Sequence, residues 1–288
     1  MPLRLITAEI FFYALFMAFV IMEDPLLMIG FAVVILGLFL GIFRFYREGW
    51  QRLKIDFRQH LKAAVGLAFI LAGTFPFLMA NDIYWLQVLN LAIMYAVMAL
   101  GLNLMTGQAG LICLGYAAFV AIGAYVVGIL TLKIGISFWV ALLAAGLVAG
   151  LFGIVLGLPA LRVKGHYLAL LTIAFGLIVQ EIILNWESLT GGTNGLINIP
   201  TPVLFGYDFG TPLQIGSLTL PFQVNFYFFN LILLALTMWI VYRLSESFIG
   251  LAFNAMREDQ LAARCYGMKI TSYKLVAFAL GAFFGGIV

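Results

Sequence analysis

Apolar residues in this chain neither alternate strictly nor keep to one helical face. They come in long runs, near residues 7–22, 26–43, 62–80, 84–104, 109–132, 136–158, 167–185, 225–242 and 273–288. About 20 apolar helical residues cross a hydrocarbon core about 30 Å thick, whereas a membrane barrel shows alternating segments of about 10. The pattern therefore predicts an all-α integral membrane protein, a polytopic helical bundle of about nine apolar spans. The first run is short and carries Glu9, and the run 109–132 is broken by glycines, so a half-buried or re-entrant course stays open for both. The last run stops at Val288 inside apolar residues, which reads as an incomplete C-terminus with the final span truncated.

Composition agrees with that class. The chain is 65% hydrophobic and 9% charged, with a mean hydropathy of +1.13, where globular domains are roughly 45–50% apolar and about 25% charged. Arg4 before the first run suggests a secretory leader, but Glu23, Asp24 and Pro25 follow in place of a small-residue cleavage site, so the run reads as an uncleaved span. Placing the N-terminus in the cytoplasm puts Arg44, Arg47, Arg52, Lys54, Arg58, Lys62, Arg162, Lys164 and the stretch Arg243 to Lys274 on the cytoplasmic side. Lys133 then falls outside, with the segment 186–223, which has no Lys or Arg, as the positive-inside rule requires. The net charge of +3 belongs to these loops, and no basic face with interleaved aromatics points to nucleic acid. No Walker A sequence, H-E-x-x-H or zinc spacing occurs, so the sequence points to no cofactor, no metal and no catalysis of its own. The glycine-rich TGGTNG at 190–195 follows an apolar helix and reads as a tight turn, its Gly and Asn supplying positive φ.

The densest polar stretch lies between the last two runs. Ser245 or Ser247 can cap a short turn, and Asn254 can cap a helix of about three turns running through Arg257, Glu258, Asp259, Gln260, Leu261, Ala262, Ala263 and Arg264 to a stop at Gly267. Ala262 and Ala263 let another surface approach the backbone, with the charged residues fixing register; a solvated interhelical loop is the plainer alternative. Asn103, Thr106 and Gln108 flank the glycine-broken run and are candidates for a translocation path, with helix-to-helix hydrogen bonds as the alternative. Glu181, at the outer end of a span, is a further path candidate or an interfacial anchor. Glycines 146, 150, 153 and 157 form a small-residue ridge that close helix packing explains.

The stretch GLAFNAMREDQLAARCYGMKITSYKLVAFALGAFFGG from Gly250 resembles the coupling-loop region of bacterial ABC importer permeases of the branched-chain amino acid type. Ala262, Ala263 and Gly267 match the motif's alanines and glycine, while Gln260 stands where the family carries an acidic residue. LGLNLMTGQAGLICLGYAAFVAIGAY at 100–125, LRVKGHYLALLTIAFG at 161–176 and LNWESLTGGTNGLINIP at 184–200 resemble the same family, of the M-subunit type. The resemblance implies a permease core over 81–288 and extra N-terminal spans with a basic cytoplasmic loop over 1–80. It also implies a bacterial inner-membrane location in the lipid bilayer, a second homologous permease, two cytoplasmic ATPases and a periplasmic substrate-binding protein. The ATPase-coupling residues would be Arg257, Glu258, Asp259, Gln260, Ala262, Ala263, Arg264 and Gly267. Leucine, isoleucine and valine are the implied cargo, with urea or short amides on the same scaffold as the alternative. A channel or secondary transporter would show more intramembrane charges or inverted repeats.

Overall fold

The computed structural model describes residues 3–21, 60–78, 82–163, 165–215 and 218–288; the apolar run 26–43 and most of the basic segment after it lie outside these. The chain divides into two compact units, Met1–Gln87 and Val88–Val288.

In the first unit, α1 (Leu3–Ile21) packs on α2 (Leu61–Leu78). The Tyr13 hydroxyl lies 2.9 Å from Thr74 Oγ1 and the Phe16 and Phe75 rings sit 6.0 Å apart. Phe75 and Ala64 are buried.

Helix α3 (Ile83–Asn103) crosses the boundary, its first turn capped by Asp82, whose carboxylate accepts from the Tyr84 N–H at 3.1 Å. It widens into a π-turn at Leu104–Gln108. There follow α4 (Ala117–Ile129), with its own π-turn over Leu130–Ile134, α5 (Phe138–Ala160), α6 (His166–Asn185) and a short α7 (Glu187–Thr190). Two small antiparallel hairpins come next, β1 (Val203–Leu204) on β2 (Tyr207–Asp208) and β3 (Leu213–Ile215) on β4 (Leu218–Leu220), with Gln214 opposite Thr219. Helices α8 (Gln223–Ser245), α9 (Phe248–Glu258), α10 (Gln260–Cys265) and α11 (Ile270–Ile287) complete the chain.

Among the described residues, six helical stretches are long and apolar enough to cross a membrane: Ile83–Gln108, Ala117–Ile134, Phe138–Ala160, His166–Asn185, Gln223–Ser245 and Ile270–Ile287. Two more apolar stretches, Ile6–Ala18 and Ala63–Leu78, are shorter. The protein is thus a multi-pass helical membrane protein.

The core of the second unit forms around α11. Its closest partner is α5, and the glycine ridge supplies the approach: a Cβ on Gly153 would lie 2.5 Å from the Phe278 carbonyl oxygen, and one on Gly157 2.8 Å from Leu275 Cδ2. At the other end of the same seam a Cβ on Gly146 would meet Ile287 Cγ1 at 2.7 Å, so the two helices run antiparallel. Lipid offers no hydrophobic drive for helix pairing, so close main-chain approach through small residues is the means available.

Side-chain hydrogen bonds mark the two ends of the bundle. At one, Asn90 Nδ2 donates to the Gln223 carbonyl (3.1 Å) and Asn230 Nδ2 to Asn90 Oδ1 (3.1 Å). At the other, Gln108 Nε2 donates to Ser245 Oγ. The segment 186–222 gathers at the first end. There Trp139 Nε1 donates to the Val203 carbonyl at 2.8 Å, Lys133 Nζ donates to the Ser188 carbonyl at 2.6 Å, and Asn225 Nδ2 donates to the carbonyls of Phe209 and Thr211. Thr201 Oγ1 and the Gly210 N–H both donate to Asp208, which holds its carboxyl below the usual carboxylate range. The turn at 190–195 differs from the sequence expectation in one respect. Gly191, Gly192 and Gly195 carry the positive φ, whereas Asn194 sits in a 3-10 turn with ordinary backbone.

Candidate functional site

The polar hairpin α9–α10 lies at the end opposite the 186–222 segment. Ser247 caps α9, its Oγ accepting from the Gly250 N–H, and the buried stripe Gly250, Phe253 and Met256 recurs every three residues toward the bundle. The expected continuous helix from Asn254 to Arg264 is broken. Asp259 is extended (φ −152°, ψ 110°) and its carboxylate caps a new helix by accepting from the Leu261 (2.7 Å) and Ala262 (3.1 Å) N–H groups. Asn254 is an exposed interior residue of α9 and caps nothing. Two bonds close the far end: the Gly267 N–H donates to the Arg264 carbonyl (2.9 Å) and the Met268 N–H to the Ala263 carbonyl (3.1 Å). This paired closure requires a left-handed residue, and Gly267 supplies it at φ +81°.

On α10 the two consecutive alanines point about 100° apart. Ala262 faces out, while Ala263 is 5% exposed and belongs to the core with Phe253, Met256 and Ile270. The outer face carries Phe248, Leu251, Leu261 and Tyr266, with Arg264 and Cys265 exposed among them. Gln260 is half-buried at the start of α10. Arg257 points back into its own chain. Its Nη1 donates to the Gly107 carbonyl, and Nη2 lies 3.6 Å from the Glu258 carboxylate, both side chains well exposed.

Residues 109–116, between the π-turn and α4, form neither helix nor strand. Ala109, Leu111 and Cys113 are buried while Ile112 and Leu114 are exposed, the two-residue alternation of extended backbone. Non-helical backbone at membrane depth is tolerated where protein covers it and its polar groups find partners. Here the Leu111 N–H donates to the Met105 carbonyl (2.9 Å) and the Leu114 N–H to Thr172 Oγ1 of α6 (3.0 Å). Thr172 in turn donates to the Ala169 carbonyl (2.8 Å), and the Tyr116 hydroxyl donates to the Gly281 carbonyl of α11 (2.9 Å). The expectation of a glycine-broken run over 109–132 thus acquires a definite form, its first eight residues a strap held to α6 and α11.

Of the path candidates, Asn103 and Thr106 are exposed and Gln108 half-buried, all at the α9–α10 end of α3. Glu181 lies toward the opposite end on α6, exposed, with Asn185 Nδ2 donating to its Oε2 at 3.1 Å. The structure does not bring Glu181 together with the other three. Thr172 and Tyr116 carry polar links that sequence reasoning did not single out, and Ser245, read there as a possible cap, instead accepts from Gln108. A signal for the first two was present, since a glycine-broken run inside a membrane needs polar partners for its backbone.

Membrane-length helices, an irregular strap between two of them and an amphipathic polar hairpin at one end define a multi-pass helical membrane protein. The chain belongs to the family described as branched-chain amino acid transport system / permease component, whose model matches residues 84–288. It is 37% identical over 229 residues to the high-affinity branched-chain amino acid transport system permease protein LivM of Salmonella typhimurium and, over the same length, to that of Escherichia coli. Each alignment covers 75% of this chain and 53% of the relative, so the chain spans about half the length of the curated relatives it matches. No solved structure matches.

Proposed function

We propose that this chain is the transmembrane permease subunit of an ATP-driven ABC importer that moves branched-chain amino acids into the bacterial cytoplasm across the inner membrane. Family membership over 84–288 carries the reading. The full set of about nine spans comprises the core over 81–288 and extra spans over 1–80. The N-terminus is cytoplasmic, so the end carrying Arg162, Arg243, Arg257, Arg264 and Lys269 faces the cytoplasm. A second homologous permease completes the path, a periplasmic binding protein delivers the substrate, and hydrolysis takes place on two separate ATPases.

The ATPases engage the outward face of α9–α10. Leu251, Leu261 and Tyr266 form its apolar centre, and Glu258 and Arg264 fix register at its rim. Asp259 and Gly267 hold the backbone beneath them, and Ala262 is the small residue at the contact. The translocation path passes Asn103, Thr106 and Gln108, with Glu181 toward the entrance.

The decisive experiment is reconstitution of the full chain with its co-purifying ATPases, second permease and binding protein in proteoliposomes, reading ATP-driven uptake of labelled leucine. Ala262→Trp is expected to leave membrane insertion intact and to abolish retention of the ATPases and uptake. Uptake that needs no ATPase, or leucine uptake absent from a complex that transports urea, would overturn the assignment.

A further inference from the structure

Three links from α8 and α9 converge on the turn where α3 gives way to the strap. Arg257 Nη1 donates to the Gly107 carbonyl. Gln108 Nε2 donates to Ser245 Oγ, which itself donates to the Val241 carbonyl at 2.8 Å. Gly110, at φ +68°, lies against the Arg257 side chain, so a Cβ there would sit 2.8 Å from Arg257 Cγ and 3.4 Å from its Cα. The other end of the strap is tied by Leu114 to Thr172 and by Tyr116 to Gly281. The hydrogen bonds of residues 107–116 therefore join the polar hairpin to two membrane helices. One polar atom in the turn is unsettled: Gln108 Oε1 is buried without a hydrogen-bond partner, a cost that an arrangement bringing it a donor would recover.

Resting on the importer reading above, we infer that the strap 109–116 is the element that transmits movement of α9–α10 into the membrane, with Arg257 as the positioning residue that couples the hairpin to it. A guanidinium suits this task. It is always charged, its planar donors hold a carbonyl in a fixed direction, and its stem here lies against a glycine that offers no side chain to slip past. When the hairpin moves with the ATPases, the Gly107 carbonyl moves with it. The strap then shifts against Thr172 and Gly281, which hold its other end.

Cys113, buried in the middle of the strap, gives a native probe once exposed Cys265 is replaced by serine. The assembled complex carrying Cys265→Ser is labelled with N-ethylmaleimide with and without ATP under conditions that trap the closed ATPases. The Cys113 labelling rate is expected to change by about fivefold or more between the two, the lower range of allosteric coupling. In Arg257→Gln the ATPases remain bound and hydrolyse ATP, but the nucleotide-dependent change collapses and uptake per ATP falls by about tenfold. A labelling rate indifferent to nucleotide in a complex that transports overturns the strap's role and leaves the importer reading standing. Loss of ATPase retention in Arg257→Gln also overturns the inference, because Arg257 would then be a docking residue. Should that variant fail to accumulate, Ser245→Ala removes the hydroxyl that accepts from Gln108 and is expected to reduce the response by about half, and an undiminished response there overturns the inference. A complex that neither binds ATPases nor transports fails at the prior step, and the inference falls with it.

Discussion

The α5–α11 seam and the strap 109–116 both depend on glycine, and they use it differently. Along the seam, two regular helices satisfy their own backbones, and glycines only remove bulk, so main chain and side chain of α11 fill the space. In the strap the backbone has no ladder of its own. Gly115 lets it approach α6 so closely that a Cβ would lie 1.9 Å from the Thr172 carbonyl oxygen and 2.7 Å from its carbon. The seam is a packing solution spread over many residues; the strap is a hydrogen-bonding solution concentrated in a few. Damage to the two should therefore scale differently.

The sharpest contrast is Gly115→Ala, where the new methyl meets main chain that cannot rotate aside. A destabilisation of about 3 kcal/mol or more is expected, read as a lowered thermal midpoint of the detergent-solubilised protein. A midpoint like that of the parent would mean the strap is not held against α6. Gly153→Ala comes next, at about 2 kcal/mol, because its Cβ would be 2.5 Å from the Phe278 carbonyl oxygen and 2.7 Å from Ala282 Cβ. Thr172→Val keeps the shape but removes the acceptor for the Leu114 N–H, at a cost of about 1 kcal/mol. It should also speed hydrogen exchange at Leu114 while leaving the seam unchanged, and slow exchange there would assign that N–H another partner. Gly150→Ala is the mildest, at under about 1 kcal/mol, since its nearest neighbour, the Ala279 carbonyl oxygen, stands 3.3 Å away. Equal effects at 150 and 153 would break the account of the seam as graded close packing.

Five of the six apolar runs between 84 and 288 are helical in their expected places, because about 20 consecutive apolar residues admit few alternatives in a bilayer, while the run 109–132 turns helical only from Ala117. The glycine ridge was legible for a similar reason, since four- and three-residue spacing places small residues along one face of a helix. The break at Asp259 was not. Asp259 is of a type favoured at helix N-caps and poor inside helices, but the good helix formers on either side of it hid that signal. Ala262 and Ala263 lie about 100° apart around α10, and which of the two faces the core depends on how α10 docks, which its sequence alone does not state. The back-bonding of Arg257 to Gly107 joins residues 150 apart in sequence, a separation that a pattern within one segment does not reveal.

The strap also sets an order of events in the making of the protein. The partner of the Leu114 N–H is synthesised 58 residues after it and the partner of the Tyr116 hydroxyl 165 residues after it. At about 5–20 residues per second, the second delay is on the order of ten seconds or more. Until α6 is made the Leu114 N–H lacks its native acceptor, and until α11 is made the Tyr116 hydroxyl lacks its own, so the strap reaches its final bonding only after helices that follow it on the ribosome.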